Sequence, residues 1–209
     1  MTTPKRGLLF HMTSIDNLPS IISHGMLSDD RVRSKGLLET EIGEDRIKGT
    51  RRRLPVRVAH GGTVSSYVPF YFAARSPMLL YIKSGNVPAY QEGQEPIIYL
   101  VTDAGSLATL GCESVFTDRN ASLAFARHES DLALINAVID WPLMEATYWA
   151  GDDDRKERRM AEFLVRDHVS FGAITQIGVR SDGMAARVRE ILGTMDPHPQ
   201  VSVRPEWYY

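Results

Sequence analysis

The sequence predicts an α+β fold with a central, mostly antiparallel β-sheet and peripheral helices. Three observations carry that prediction. Short apolar runs of strand length alternate with short capped helical stretches along the whole chain. No segment repeats and none is of low complexity. The 209 residues are 43% hydrophobic and 24% charged, which suits a folded chain of one domain spanning residues 1–209 and argues against wholesale disorder.

Taken in order, Leu8 to Thr13 reads as a first strand. Ser14 is placed to cap a short helix carrying Ile15, Leu18 and Ile22 at helical spacing, with Pro19 in its early turn and Gly25 at its end. From Ser28 to Arg53 the chain is polar, charged and poorly periodic; a stretch this long inside one domain is more often a lid or functional loop than a bare connection. Gly61-Gly62-Thr63 marks a turn before an aromatic-rich strand from Tyr67 to Phe72. Met78 to Ile82 fits a short helix or a strand, and Gly85 to Pro96 reads as loop. Pro96 to Val101 is a buried strand, Ser106 to Leu110 a helix, and Ser114-Val115-Phe116 another strand. Thr117 to Asp154 is a long, partly helical excursion. A strand through Glu162 follows, then one from Ile174 to Val179. Asp182 is placed to cap a helix with Met184, Val188, Ile191 and Leu192 on one side, ending at Gly193, and Val201 to Val203 forms a last strand.

The formal net charge is −2, so there is no global pull toward nucleic acid. Basic residues nonetheless cluster at Arg51-Arg52-Arg53 with Arg57, and at Arg155, Lys156, Arg158 and Arg159 just before Glu162; a locally basic groove can hold a phosphate backbone. Cys112 is the single cysteine, which excludes an intrachain disulfide and a multi-cysteine zinc site and fits a reducing compartment. Leu8-Leu9-Phe10 is too short for a signal-peptide core, and no run approaches the roughly 20 apolar residues that span a bilayer. The expectation is a cytoplasmic protein without membrane association.

Glu162 lies within Ala161-Glu162-Phe163-Leu164-Val165. Strand alternation sets its carboxylate on the face opposite Phe163. On this segment alone, an edge-strand glutamate facing water is the commoner case, since burying an unpartnered carboxylate costs several kcal/mol. His11 and Thr13 would share one strand face. Tyr71 and Arg75, four residues apart around a strand end, would set an aromatic platform and a guanidinium toward one cleft.

Together these stretches resemble the DarT family of DNA ADP-ribosyltransferase toxins. The resemblance is carried by His11-Met12-Thr13 with Asp16 to Ile21, by Tyr67 to Phe72 with Arg75 to Met78, and by Phe116 to Ala121. It continues through Asp140-Trp141, Arg159 to Val165 and the terminal Trp207-Tyr208-Tyr209, in one order over nearly the whole chain. It implies an ADP-ribosyltransferase-like fold, NAD⁺ as ADP-ribose donor with no metal, a base of single-stranded DNA as acceptor, and pairing with a macrodomain antitoxin of the DarG kind. By position it implies Glu162 as the catalytic glutamate and Arg51 beside the NAD⁺ site, either holding Glu162 or neutralising phosphate. It implies His11 and Thr13 on the nicotinamide-side ribose and amide with Asn17 nearby, and Tyr71 against the nicotinamide; Arg75 completes the donor-binding set. Ser14 stands where many relatives have His, and Ala73-Ala74 replaces a Pro-containing turn before Arg75. The region 28–50 is then the lid over NAD⁺, and 117–154 the region that reads the acceptor. Thymine is the expected base and a monomer the expected state. The alternatives are guanine in DNA, an RNA or protein acceptor, and a non-catalytic nucleotide-binding module.

Overall fold

Leu8, Leu9 and Phe10, with Met12 beyond them, open β1 (Leu8–Ser14), the strand around which the rest is laid. The computed structural model describes residues 7–209. Ser14 caps a 3₁₀ turn at Ile15–Asn17 that runs into α1 (Leu18–His24), closed by Gly25 at φ 73°. β2 (Met26–Leu27) follows. The polar stretch expected to be weakly structured holds two short helices, α2 (Asp29–Lys35) and α3 (Asp45–Arg51). Their ends are satisfied by Ser28 at the α2 N-terminus and left-handed Gly36 after its C-terminus. Periodicity missed them because neither helix has a buried residue.

β3 (Tyr67–Tyr71) leads into α4 (Pro77–Lys83), where Ser76 caps the first turn and settles the ambiguous Met78–Ile82 run as helix. β4 (Ile97–Asp103), α5 (Ala104–Thr109) and β5 (Ser114–Thr117) fall close to their expected places. The excursion beyond them contains β6 (His128–Glu129), α6 (Ile135–Val138), α7 (Trp141–Glu145) and the start of α8 (Asp153–Arg159). β7 (Glu162–Arg166), β8 (His168–Val169), β9 (Gln176–Val179), α9 (Asp182–Leu192) and β10 (Gln200–Val203) complete the chain. Ser181, not Asp182, caps α9 by accepting the Met184 N–H.

The large sheet runs β10-β9-β4-β1-β3-β7-β5-β6, with β2 and β8 forming a separate pair. Among the described residues only the β9–β10 neighbours are parallel. β1 pairs with β4 along its whole length, from Leu8 opposite Asp103 to Ser14 opposite Ile97. It meets β3 at a single pair, Phe10 opposite Tyr71. The eight strands therefore divide into two leaves that touch at Phe10 and Tyr71 and part beyond them. His11 and Thr13 on one leaf, and Pro69 and Tyr67 on the other, line the opening.

The main core packs Leu9, Phe70, Leu100, Phe163 and Ile177 against helix residues such as Leu18, Leu107, Trp141 and Val188. A second cluster joins Phe10, Met12 and Tyr99 to Leu79, Ile82 and Tyr208. Each such fully buried side chain contributes about 1.5–3 kcal/mol relative to exposure. Trp207 lies so close over Gly178 that a Cβ there would come within 2.2 Å of its ring, so the terminal aromatics seat only because β9 has a glycine at that point.

Candidate active site

β7 sits between β3 and β5, so Glu162 is not on an edge strand. The β3–β7 ladder sets it directly opposite Tyr71, one residue before the Phe70–Phe163 pair. Phe163 points into the main core and Glu162 into the cleft, as alternation requires. Its side chain is only 1% exposed, which overturns the reading of a surface carboxylate.

The buried charge is compensated from two sides. Arg51, in the last turn of α3, donates from Nη1 to Glu162 Oε1 at 3.0 Å and to Oε2 at 2.9 Å. The Ala121 backbone N–H donates to Oε1 at 3.0 Å. Oε1 thus accepts two donors and Oε2 one, so Oε2 has the greater remaining capacity to accept a proton. The main chain is fixed as well: Thr117 Oγ1 accepts the Glu162 N–H at 3.1 Å. Arg51 Nη2 is buried without a partner among the described residues, a donor beside the carboxylate and in want of an acceptor.

The cleft measures about 450 Å³, within the range of small-molecule sites, roughly 300–1,000 Å³. It gathers His11, Thr13, Asn17, Arg51, Tyr71 and Glu162. His11 crosses the gap between the leaves, its Nδ1–H donating to the Pro69 carbonyl at 2.8 Å. Burial lowers its pKa to about 4, against a smaller opposing effect of that bond, so the ring is neutral at pH 7 with Nε2 as acceptor. Tyr71 reaches toward the Met78 sulfur; burial, then the Glu162 charge, hold its phenol protonated well above the usual range.

Asn17 lines the cleft with its side chain engaged by the protein itself. Its amide N–H groups go to Thr13 Oγ1 and the Thr40 carbonyl, and its Oδ1 accepts from the Glu39 and Thr40 backbone N–H groups. All four hydrogen-bonding positions are used, so Asn17 ties the 39–40 segment to the cleft. Arg75 is not in this cleft. Its φ of 52° turns the chain so that it lines a second hollow with Phe72, Trp141 and Arg159. Its guanidinium stacks 4.6 Å from the centre of the Tyr209 ring. The expectation that Tyr71 and Arg75 face one cleft is therefore corrected.

The basic run before Glu162 is also not a free cationic strip. Arg159 is buried, donating to the carbonyls of Met144 and Ala74, both at 2.8 Å. Arg158 pairs with Asp140 and Asp154, and Lys156 with Asp153.

The outer wall is the 29–51 segment, held by charge. Asp29 accepts Lys48 at 2.9 Å and Arg52 at 3.1 and 3.0 Å. Burial opposes its ionisation, but those two cations outweigh it and keep its pKa below the ordinary carboxylate value. Asp30 accepts hydrogen bonds from Ser65 and Ser66 at 3.1 and 2.9 Å. Sequence reasoning missed Asp29, Lys48, Thr117 and the Ala121 amide. Thr117 and Ala121 lay inside a quoted stretch, and a polar residue closing an apolar strand was the available signal. Among the described residues no group of three or more His, Cys, Asp or Glu is arranged to hold a metal ion, and no helix is long and apolar enough to cross a membrane.

Comparison with known proteins places this geometry. The family described as ssDNA thymidine ADP-ribosyltransferase, DarT, matches residues 10–209. A DNA ADP-ribosyl transferase of Thermus sp. (strain 2.9) is 37% identical over 100% of this chain and 99% of its own. The solved Thermus sp. 2.9 DarT in complex with ADP-ribosylated ssDNA superposes with a TM-score of 0.92 at 36% identity, covering 100% of this chain and 99% of that one. The same protein in complex with NAD⁺ gives 0.88, at 36% identity and 100% coverage of both chains. A Thermosipho africanus fusion of a DNA ADP-ribosyl transferase with a DNA ADP-ribosyl glycohydrolase is 24% identical over 90% of this chain and 46% of its own.

Proposed function

This chain belongs to the DarT family, and on that premise we propose that it transfers ADP-ribose from NAD⁺ to thymine in single-stranded DNA as the toxin of a toxin–antitoxin pair. That it is a DNA ADP-ribosyltransferase follows from the family; the base, the toxin role and the duties of each residue are our reading. The observation that carries it is the buried Glu162, held by Arg51 and the Ala121 N–H at the floor of the cleft.

NAD⁺ supplies an ADP-ribosyl group whose nicotinamide bond is already polarised toward departure. The unpartnered Arg51 Nη2 and the neutral His11 suit a polar, anionic donor entering this cleft. Glu162 stabilises the positive charge that develops on the ribose as that bond breaks. Its Oε2 then takes the ring N–H proton of thymine, which is a poor nucleophile at neutral pH until deprotonated. Tyr71, across the ladder from Glu162, covers the nicotinamide. Thr13 and His11 hold the nicotinamide-side ribose and amide. Arg51 acts as a positioning residue for Glu162, and Asn17 as one for the wall.

A paired thymine hides that ring N–H and stacks away from any cleft, and extracting it costs a few kcal/mol; single strands are therefore the substrate. A partner enzyme that removes the modification fits the Thermosipho fusion, where transferase and glycohydrolase share one chain, and that fusion supports the reading of a macrodomain antitoxin as partner. The chain is read as a cytoplasmic monomer of one ADP-ribosyltransferase domain.

The test is incubation with NAD⁺ and oligonucleotides lacking either thymine or guanine, single-stranded or annealed, with the adduct mapped by fragmentation. Thymine adducts on single strands alone are expected. Labelling of thymine-free strands with none on guanine-free ones would assign guanine instead.

A further inference from the structure

Phe125 stands in the turn that follows Ala121, and it is 64% exposed. An exposed phenylalanine gives up the roughly 2 kcal/mol that burial brings, and this one is held in place rather than left loose. The Arg119 guanidinium lies over its ring, 5.2 Å from the centre, leaving the opposite face to solvent. Arg119 is itself fixed by Asp118, Asp154 and Glu157 at 3.1, 3.1 and 3.3 Å. The turn is closed by Leu123 N–H to Asn120 O at 3.1 Å and Ala126 N–H to Leu123 O at 3.0 Å. Its other end is the Ala121 N–H on Glu162. Four residues of chain span at most about 14 Å, so the ring stands within a few nucleotide steps of the carboxylate.

We infer that Phe125 is the platform on which a base adjoining the acceptor stacks, which rests on the reading of single-stranded DNA as substrate. Three carboxylates around Arg119 more than offset its charge, so this corner does not attract a phosphate. What it offers is a rigid π-face, and a base is the part of a single strand that fits one. The stack holds the strand in register while the neighbouring base enters the cleft.

The test compares the parent with Phe125→Ala and Phe125→Trp on two oligonucleotides, one intact and one with abasic sites flanking the acceptor. Loss of the ring should raise KM for the intact strand about 5- to 100-fold. kcat and KM for NAD⁺ should hold, and Phe125→Trp should restore the parental value. On the abasic strand parent and Phe125→Ala should be alike. An alanine variant equal to the parent on the intact strand overturns the inference, as does a loss that persists on the abasic strand; the latter marks a structural effect or another occupant. A parent that labels no oligonucleotide brings down the substrate reading and this inference together.

Discussion

The cleft has a floor and a wall built in opposite ways. On the floor, Tyr71 and Glu162 face each other across a strand ladder, and the position of each is set by backbone pairing with a packed core behind it. The wall, residues 29–51, has two seven-residue helices with no buried side chain. Asp29, Asp30, Lys48, Arg52 and the Asn17 amide hold it in place. A ladder fixes atoms to within tenths of an ångström and resists change, which suits a group acting at the reacting centre. Polar ties on short helices with no apolar core behind them open at smaller cost than a ladder, which suits a segment that must admit and release a donor. Arg51 joins the two, carried by the wall and bonded to the floor.

Substitutions on each side should separate accordingly. Glu162→Gln keeps the volume but removes the charge and the base, and should lower transfer about 10²–10⁴-fold. Arg51→Ala should come next: it leaves a buried carboxylate with one donor fewer, costing about 3–5 kcal/mol of stability, read by thermal unfolding, along with turnover. Asn17→Ala removes three hydrogen bonds to the 39–40 backbone, each worth about 0.5–1.5 kcal/mol, and loosens the wall, so KM for NAD⁺ should rise while kcat holds. The pH response is a smaller effect. His11 has a folded pKa of about 4 against about 6.5 unfolded. Below pH 6.5 the unfolded chain takes up the proton first, so stability falls as pH drops from 6.5 toward 4, and His11→Gln should flatten that part of a melting curve series. Arg53→Ala, at an exposed position of the same basic run, should fall within about 0.5 kcal/mol of the parent. Equal losses at Arg51 and Arg53 would erase the distinction between a residue that bridges and one that is merely solvated.

The same contrast decides what the sequence made legible. Floor residues sit in alternating apolar runs, so β3, β7 and the outward turn of Glu162 away from Phe163 could be read directly. The wall has no apolar period to read, so α2 and α3 were invisible even though the segment was recognised as one that closes over a site. Arg75 was misdirected because a left-handed residue reverses the chain there, and no periodicity reports that. The basic residues before Glu162 looked like one cationic strip because Arg158 and Arg159 also reach partners distant in sequence, Asp140, Met144 and Ala74, while Lys156 is met by the adjacent Asp153. The split between β1 and β3, which creates the cleft, is a matter of one pairing register and leaves no mark on composition.

The division of labour is tested most directly by single-turnover transfer to a thymine-containing single strand, with NAD⁺ affinity measured on the same preparations of Glu162→Gln and Asp29→Ala. Glu162→Gln should bind NAD⁺ within a few-fold of the parent and transfer almost nothing at saturation. Asp29→Ala should bind NAD⁺ more weakly yet transfer at the parental rate once saturated. A Glu162→Gln protein that transfers normally, or an Asp29→Ala protein with parental affinity and a collapsed rate, would contradict the account.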